Sequence, residues 1–456
     1  MNAFDVIIIG FGKGGKTLAS EFAKHGQKVA IIERSDKMYG GTCINIGCIP
    51  TKTLVHQAKI ASGMKTASFE EKREFYRNAI SEKESVTSAL RNKNYHNLAD
   101  NPNVTVYTGI GSFVSSDTVS VRTSMEEILL TSQQIIINTG AETIIPSIDG
   151  IADNPFVYNS TSIMELTALP RHLVIIGGGY IGLEFASMYA SFGSRVTVLE
   201  SYPELIVRED RDIAASVKET LEKKGIVFCM NAKVQSVKSM SVNAMVTFVD
   251  LQTGETVELE ADAVLLATGR RPNTNSLNLE AAGVEVDARG AIIVDEYLKT
   301  THPNIRAVGD VKGGLQFTYI SLDDYRIVRE DLFGDKERKT TDRNPVSYSV
   351  FIDPPLARIG MNEEEARKQN LDVVVKKLPV MAIPRAKTLG ETDGLLKAII
   401  DKNSGKILGC TLFAPDASEV INTVAIAMKT GQDYTFLRDF IFTHPSMSEA
   451  LNDLFA

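Results

Sequence analysis

Short apolar runs alternate with segments of helical periodicity in two stretches of the chain. Residues 6–9 (Val-Ile-Ile-Ile) predict a buried strand, and residues 17–25 predict a helix that ends at Gly26 before the next apolar run. A second strand, turn and helix begin at residue 171, with the apolar run 173–176. Strands that alternate with helices in this way are typical of parallel sheets. The pattern therefore predicts an α/β protein with two similar halves.

The rest of the chain differs in character. Residues 50–100 are charged and contain few helix breakers, which predicts helices, and short strands follow from 104 to 137. Beyond residue 340 strands come first and helices last, which predicts a separate α+β domain. The expected domains are a first nucleotide-binding domain in two parts (1–150 and 273–338), a second inserted between them (151–272), and a C-terminal domain (339–456).

Each of the two strands runs into a glycine fingerprint of the Gly-x-Gly-x-x-Gly type. An acidic residue stands 23 positions after the first glycine in both cases, Glu33 (33 − 10) and Glu200 (200 − 177). Such glycines let the backbone approach a pyrophosphate at a helix N-terminus, and the acid can bind ribose hydroxyls, as in Rossmann-like domains. A solvated strand end is the alternative for each acid. The fingerprint glycines are Gly10, Gly12 and Gly15, and Gly177, Gly179 and Gly182.

The second acid also bears on the choice of nucleotide. Glu200 would repel a 2′-phosphate, and no arginine directly follows it. The sequence therefore favours NADH over NADPH as the nicotinamide cofactor.

Composition excludes several classes of protein. A chain of 456 residues is too long for one core, and 43% hydrophobic and 23% charged residues are ordinary for a soluble protein. A formal charge of −8 argues against nucleic acid as a partner. The apolar runs are shorter than the roughly 20 residues of a membrane helix, and the first is too short for a signal peptide. We therefore expect a cytoplasmic protein with no membrane partner.

Four cysteines are too few for a disulfide scaffold. Cys229 and Cys410 stand alone in apolar runs, where buried and inert thiols are expected. Cys43 and Cys48 form a close pair, and in a reducing cytoplasm such a pair is more often catalytic or metal-binding than structural. A structural disulfide or a two-thiolate metal site remains the alternative. The nearby Lys52 and a helix start would stabilise thiolates, as exchange chemistry requires.

Six stretches together resemble the flavoprotein disulfide reductases, the family of dihydrolipoamide dehydrogenase, glutathione reductase and mercuric reductase. The likeness covers essentially the whole chain. The stretches are residues 40–52, both glycine fingerprints, 268–273 (Thr-Gly-Arg-Arg-Pro-Asn), 308–310 (Val-Gly-Asp) and 444–449 (His-Pro-Ser-Met-Ser-Glu).

The resemblance implies that the first domain binds FAD and the second binds NAD(P)H, with no metal site. Cys48 would be the charge-transfer thiol against the flavin, and Cys43 the interchange thiol that meets the substrate. Lys52 and Glu184 look like an ion pair beside the reactive flavin nitrogen, although each could be an ordinary surface charge. The implied FAD residues are Gly10, Gly12, Gly15, Glu33, Gly41, Thr42, Lys52, Thr139, Gly140, Gly309 and Asp310; the NAD(P) residues are Gly177, Gly179, Gly182, Glu200, Gly269 and Arg270.

A histidine near the C-terminus, His444, is followed closely by a carboxylate. A carboxylate five positions on, Glu449, can hold His444 in one tautomer as a base, although a lone histidine there is more often structural. In the family the matching dyad reaches the interchange cysteine of the other subunit. The resemblance therefore implies a homodimer with a shared active site.

Some features of this chain differ from those of well-known flavoprotein disulfide reductases, and these differences indicate which members of the family it resembles most. No cysteine follows Cys410, so the C-terminal thiols of typical mercuric reductases are missing, and Ser446 stands where dihydrolipoamide dehydrogenases usually have Thr. Residues 39–55, 313–329 and 442–455 are similar to the bacterial reactive-chlorine-resistance flavoproteins, which include hypothiocyanous acid reductases.

The expected activity is reduction of such a small oxidant by the Cys43–Cys48 pair, with Cu(II) as a further acceptor. A dihydrolipoamide dehydrogenase or mercuric-reductase-like enzyme is the alternative, and a non-catalytic redox sensor ranks lower. The role of His56 and the helical span 56–100 is open.

Overall fold

Each glycine fingerprint follows the central strand of a parallel five-stranded sheet. The computed structural model describes residues 2–343 and 345–456 and divides into two units. Unit 1 contains residues 2–53, 79–144 and 269–343, and unit 2 contains residues 54–78, 145–268 and 345–456.

Twelve α-helices lie in the described residues. They are α1 (Lys13–Lys24), α2 (Thr42–Asn45), α3 (Cys48–Ser62), α4 (Phe69–Ala99), α5 (Tyr180–Phe192), α6 (Arg211–Lys223), α7 (Thr318–Phe333), α8 (Glu363–Lys368), α9 (Pro384–Leu389), α10 (Ala417–Lys429), α11 (Tyr434–Arg438) and α12 (Ala450–Phe455).

Twenty-four strands accompany these helices in the same described ranges. They are β1 (Asn2–Ala3), β2 (Val6–Ile9), β3 (Val29–Glu33), β4 (Val104–Thr108), β5 (Ile110–Phe113), β6 (Thr118–Arg122), β7 (Glu127–Thr131), β8 (Ile135–Ile137), β9 (Ala141–Thr143), β10 (Val157–Asn159), β11 (His172–Ile176), β12 (Arg195–Leu199), β13 (Ile226–Cys229), β14 (Ala232–Ser239), β15 (Ala244–Asp250), β16 (Thr256–Ala261), β17 (Ala263–Leu266), β18 (Arg270–Pro272), β19 (Ile305–Ala307), β20 (Tyr348–Val350), β21 (Leu356–Gly360), β22 (Val373–Pro379), β23 (Leu395–Asp401) and β24 (Ile407–Phe413).

Unit 1 is built on the parallel sheet β19-β8-β2-β3-β4, with the smaller sheets β1-β7-β6-β5 and β18-β9. Strand β2 is buried on both faces. Val6 and Ile8 pack into the core that contains Leu18 of α1, while Ile7 and Ile9 pack into a second core on the other face. A parallel strand covered on both sides needs apolar residues at every position. This requirement explains the unbroken apolar run in the sequence.

Unit 2 contains the second parallel sheet, β10-β17-β11-β12-β13, and the antiparallel sheets β14-β15-β16 and β20-β21-β24-β23-β22. The last of these carries a core of its own, in which Leu451 of α12, Val424 of α10 and Leu412 of β24 are fully or almost fully buried. The C-terminal α+β region expected from the sequence is therefore present.

The predicted fold class is confirmed: two Rossmann-like βαβ regions are followed by an α+β region. The first helix begins at Lys13 rather than at residue 17, because the fingerprint glycines form its first turn. The three predicted domains, which occupy four segments of the chain, divide it more finely than the two units do, and their boundaries stay predictions.

Two glycines of the first βαβ region give a matched test of the close packing at the fingerprint. Gly10 and Gly26 both have positive φ (+106° and +76°), but only at Gly10 would a Cβ atom collide, 2.3 Å from the carbonyl oxygen of Asn138. We expect Gly26→Ala to lower the free energy of unfolding by about 1 kcal/mol and Gly10→Ala by about 3 kcal/mol. Thermal unfolding followed by circular dichroism measures the difference. Equal effects of the two substitutions would contradict the steric argument.

Candidate active site

The first fingerprint is held by a buried acid. The Glu33 side chain is 7% exposed, and its Oε2 accepts a hydrogen bond from the N–H of Phe11 at 3.0 Å. Burial raises the pKa of Glu33, and the hydrogen bond from Phe11 opposes this shift. The acid at the end of β3 thus faces the glycine turn, as the ribose-binding prediction requires.

Asn138, which sequence reasoning missed, holds the first fingerprint in place through hydrogen bonds. Its Oδ1 accepts from the N–H of Gly15 at 2.9 Å, and its Nδ2 donates to the carbonyl of Val308 at 2.8 Å. Its backbone N–H donates to Ile9 at 2.7 Å. The available signal was a polar residue directly after a fully apolar strand, at the carboxyl edge where parallel sheets bind ligands.

Two backbone donors at the start of α1 have no protein acceptor among the described residues. The N–H groups of Phe11, Gly14 and Gly15 bond to side chains, but those of Gly12 and Lys13 bond to nothing in the protein. The helix also has no side-chain cap at Gly12. Free N–H groups at a helix N-terminus form an anion site, and their position suits a diphosphate.

Residues 40–52, which carry Cys43 and Cys48 and are called the redox segment below, pack directly on the glycine turn before α1. A Cβ atom at Gly41 would lie 2.5 Å from the Cα of Gly12, so only glycine permits the approach. A Cβ atom at Gly140 would lie 3.9 Å from Thr42 Oγ1. The structure therefore brings Gly41, Thr42 and Gly140 to the first fingerprint. Thr139 lies beside them, and its hydroxyl donates to the carbonyl of Asn273 at 2.8 Å.

A second buried carboxylate supports the Val-Gly-Asp stretch. Asp324 of α7 is fully buried and accepts from the N–H of Gly309 at 2.6 Å. The next residue, Asp310, is half-buried, and burial raises its pKa while Arg270 and Lys312 oppose the shift. Gly269 and Arg270, which the family resemblance assigns to the nicotinamide nucleotide, lie in unit 1, where β18 pairs with β9 and Arg270 faces Asp310. Their role in binding NAD(P)H stays a prediction.

The two thiols of the redox segment stand at the starts of consecutive helices. Cys43 is the second residue of α2 and Cys48 the first of α3; both are free thiols, and they hydrogen-bond each other. The hydrogen bond from Cys43 lowers the pKa of Cys48 to about 6, against the effect of burial and with help from Thr318 and Lys52. The same hydrogen bond and burial raise the pKa of Cys43. Near neutral pH Cys48 is the thiolate and Cys43 keeps the proton.

A lysine of α1 also lies at this segment. Lys16 donates from Nζ to the carbonyl of Gly40 at 3.0 Å and to Oδ1 of Asn94 at 2.6 Å. Burial lowers the pKa of Lys16 to about 8, with Lys13 acting in the same direction and Cys43 opposing. Asn94 belongs to the helical span whose role the sequence left open, so the C-terminal part of α4 secures the backbone just before the cysteines.

The second fingerprint repeats the first. Glu200 accepts from the N–H of Gly178 at 2.7 Å and from the N–H of Tyr202 at 3.0 Å. A Cβ atom at Gly182 would lie 2.1 Å from the carbonyl oxygen of Gly177. The N–H groups of Gly179 and Tyr180 bond to nothing in the described protein. The βαβ opening of unit 2 thus offers the same pair of anion donors as that of unit 1.

The His444–Glu449 dyad is formed in the single chain. His444 Nδ1 lies 2.8 Å and 3.0 Å from the two carboxylate oxygens of Glu449, and the histidine side chain is 67% exposed. The carboxylate fixes the ring so that Nε2 is the nitrogen left for chemistry. An exposed, oriented imidazole is suited to act on another molecule.

The predicted Lys52–Glu184 pair stays a prediction, because Lys52 lies in unit 1 and Glu184 in unit 2. Glu184 also accepts from the N–H of Phe351 at 2.7 Å. Of the two isolated cysteines, Cys410 is buried as expected, whereas Cys229 is only half-buried; burial raises the pKa of both thiols.

Two further findings concern the described residues only. None of the helices in residues 2–343 and 345–456 has the length and apolar character needed to cross a membrane. No three histidine, cysteine or acidic side chains in these ranges converge as a metal site.

Comparison with known families agrees with this arrangement. Residues 4–324 match the pyridine nucleotide-disulphide oxidoreductases, and residues 346–455 match the dimerisation domain of the same family. The chain belongs to the pyridine nucleotide-disulphide oxidoreductase family, and it is a flavoprotein disulfide reductase that uses FAD and a pyridine nucleotide. The dimerisation domain indicates a homodimer.

Individual relatives cover the chain from end to end. It is 51% identical to the Escherichia coli "Probable pyridine nucleotide-disulfide oxidoreductase RclA", over 100% of this chain and 99% of the relative. It is 33% identical to dihydrolipoyl dehydrogenase from Geobacillus stearothermophilus, over 98% of this chain and 94% of the relative. Among solved structures, the Cu(II) complex of the HOCl-induced flavoprotein disulfide reductase RclA from Escherichia coli superposes with a TM-score of 0.93 at 50% identity, covering 100% of this chain and 99% of that one.

The hydrogen bond between the thiols predicts how Cys48 titrates. We expect Cys43→Ala to raise the pKa of Cys48, because the main group that stabilises its thiolate is removed. Iodoacetamide modification of Cys48 in the reduced protein should then slow at least about fivefold at pH 7, whereas the parent reaches half its maximal rate near pH 6. Peptide mapping by mass spectrometry measures the rate. Cys229→Ala serves as the control, and an unchanged Cys48 profile in Cys43→Ala would contradict the assignment.

Proposed function

We propose that this protein is an FAD-dependent NADH oxidoreductase that reduces a small oxidant, hypothiocyanous acid or a related reactive halogen species, through Cys43 and Cys48. The observation that carries the proposal is the thiol pair itself: the two sulfurs hydrogen-bond each other, and this contact lowers the pKa of Cys48 to about 6. The similarity to a reductase described as HOCl-induced supports this class of oxidant. A cytoplasmic location agrees with a dithiol that must be kept reduced.

The first fingerprint fits FAD. The free N–H groups of Gly12 and Lys13 would bind the pyrophosphate, Glu33 a ribose, and Asp310 the ribityl region. The remaining implied residues (Gly10, Gly15, Gly41, Thr42, Thr139, Gly140 and Gly309) would allow or line this close approach. When bound, FAD supplies two-electron transfer from the reduced nicotinamide to the disulfide.

The second fingerprint fits NADH. The N–H groups of Gly179 and Tyr180 would bind the pyrophosphate. Glu200 is anchored by Gly178 and Tyr202 and would accept hydrogen bonds from both ribose hydroxyls. The same carboxylate would repel a 2′-phosphate, which favours NADH over NADPH. The Lys52–Glu184 pair is proposed beside the reactive flavin nitrogen.

The thiols perform the reduction in two displacements. Cys43 attacks the sulfur of hypothiocyanous acid and forms an S–S bond to the thiocyanate sulfur, while hydroxide leaves. Cys48, already a thiolate, then attacks Cys43 and forms the disulfide, while thiocyanate leaves. Two electrons pass from the dithiol to the oxidant, and water and thiocyanate are the products.

The proton of Cys43 needs a base, because its pKa is raised and the thiol is a poor nucleophile. We assign this role to the partner subunit's His444, which would take the proton from Cys43 and deliver it to the departing hydroxide. Glu449 would orient the ring and stabilise the imidazolium. The active site is then shared across the homodimer.

Other acceptors are kept as alternatives. The 33% identity to dihydrolipoyl dehydrogenase favours a lipoamide disulfide as the second candidate, and a mercuric-reductase-like activity belongs to the same class. Cu(II) is a further candidate acceptor, because the similar reductase is described as a Cu(II) complex. A non-catalytic redox sensor ranks below these.

A panel of acceptors tests the proposal. We expect purified protein to oxidise NADH fastest with hypothiocyanous acid, more slowly with Cu(II), and negligibly with lipoamide or glutathione disulfide, and to use NADPH less well than NADH. Absorbance at the nicotinamide band measures the rates. Cys43→Ser should abolish turnover and leave flavin reduction by NADH intact, with Cys229→Ser as the matched control. Rapid turnover with lipoamide alone would overturn the choice of oxidant.

Subunit mixing tests the shared site. Cys43→Ser and His444→Gln homodimers should each be nearly inactive. After joint refolding, half of the dimers are mixed, and each mixed dimer holds one site with both defects and one intact site. Activity should therefore return to about a quarter of the parent value. If the mixture stays inactive, His444 acts within its own subunit.

A further inference from the structure

The hydroxyl of Thr318 lies against the dithiol. Thr318 Oγ1 is 3.5 Å from Cys48 Sγ, and the same hydroxyl hydrogen-bonds the thiol of Cys43. The contact joins residues 270 positions apart, so the fold rather than local sequence creates it. Thr318 is the first residue of α7, whose N-cap residue Phe317 makes no side-chain cap.

The first position of a helix leaves the hydroxyl of Thr318 available to bond outside its own helix. A threonine inside a helix usually bonds to a carbonyl of the preceding turn, as Thr51 does to Gly47 at 2.7 Å and Thr53 does to Ile49 at 2.9 Å. At the first position of α7 no helical turn precedes Thr318, so its hydroxyl bonds to sulfur. A threonine hydroxyl has one rotatable O–H donor, which turns toward the strongest acceptor.

We propose that Thr318 is a further catalytic residue, whose O–H donates to whichever of the two sulfurs carries the negative charge. The inference rests on the proposed dithiol chemistry. In the resting dithiol the O–H stabilises the Cys48 thiolate beside the Cys43 thiol. When Cys43 loses its proton and attacks the oxidant, the same donor rotates to the new thiolate. One hydroxyl thus serves both displacements.

The two lysines near the thiols cannot stabilise both sulfurs in turn, as the Thr318 hydroxyl would. Lys52 of α3 acts on Cys48, and Lys16 of α1 acts on Cys43, so each cation favours one sulfur. Tyr319 follows Thr318 on α7, and both burial and the Cys48 charge raise its pKa, so it stays neutral. The Thr318 hydroxyl lies within hydrogen-bond reach of both sulfurs, and this shared contact distinguishes it from the two lysines.

Two substitutions of matched size separate the hydroxyl from the packing. Thr318→Val keeps the shape and removes the donor, while Thr318→Ser keeps the donor. Loss of a hydrogen bond to a charged sulfur should raise the pKa of Cys48 by about one unit. Iodoacetamide modification of Cys48 in the reduced flavoprotein should then slow about fivefold at pH 6 and be unchanged at pH 8.5. Thr318→Ser should stay within about twofold of the parent at both values.

The readout needs no oxidant, so it is independent of the physiological acceptor. Tandem mass spectrometry of the tryptic peptide 38–52 separates modification at Cys43 from that at Cys48. A parent protein without a thiolate at pH 6 would overturn the proposed function. If the parent protein is modified at Cys48 with the expected pH dependence and Thr318→Val shows the same pH dependence, only the role of Thr318 would be overturned. If Thr318→Val does not fold, Thr318→Ala provides the same comparison, with the same two outcomes.

Discussion

Three parallel strands of unit 1 are tied together at their carboxyl ends by one amide, that of Asn138. Its side chain and backbone bond to Gly15, Val308 and Ile9, and it is 6% exposed. A buried amide left unpaired would cost about 1–3 kcal/mol per group, so the three partners hold one another in a fixed arrangement. The glycine turn, the Thr139–Gly140 turn and the Gly309–Asp310 turn all start from this point. The redox segment packs on the first of these turns, where Gly41 approaches Gly12.

The chemistry of the site follows from how a single proton is shared. In the resting dithiol near neutral pH, ionisation of the second thiol is disfavoured because its charge would lie beside the first, so Cys43 ionises only when a base takes its proton. The one at the start of α3 keeps the charge, with Lys52 and Thr318 near it, and its neighbour keeps the proton. The proposed roles rest on this asymmetry: Cys48 would be the resolving thiolate, and Cys43 would be the attacking thiol that waits for a base.

The sequence was sufficient for features that depend on local sterics and periodicity. The fingerprint glycines, the acids Glu33 and Glu200 and the apolar strands have signatures that neighbouring residues carry by themselves. Asn138 and Thr318 were missed because their partners lie 123 and 270 positions away, and a lone polar residue has many ordinary uses. The assignment of Arg270 to the nicotinamide site comes from family resemblance and stays a prediction; the structure pairs its strand β18 with β9 in unit 1. The placement of Lys52 relative to Glu184 depends on tertiary geometry that no local pattern encodes.

The thiol of Cys410 lies in the middle of the C-terminal sheet with 1% exposure, and its raised pKa keeps it protonated. Sulfur is oxidised mainly as the thiolate, and Cys229 is similarly protected by a raised pKa. Under the proposed function, a thiol-reactive oxidant would therefore meet a thiolate at the Cys43–Cys48 pair, where a reduced pyridine nucleotide can reverse the oxidation.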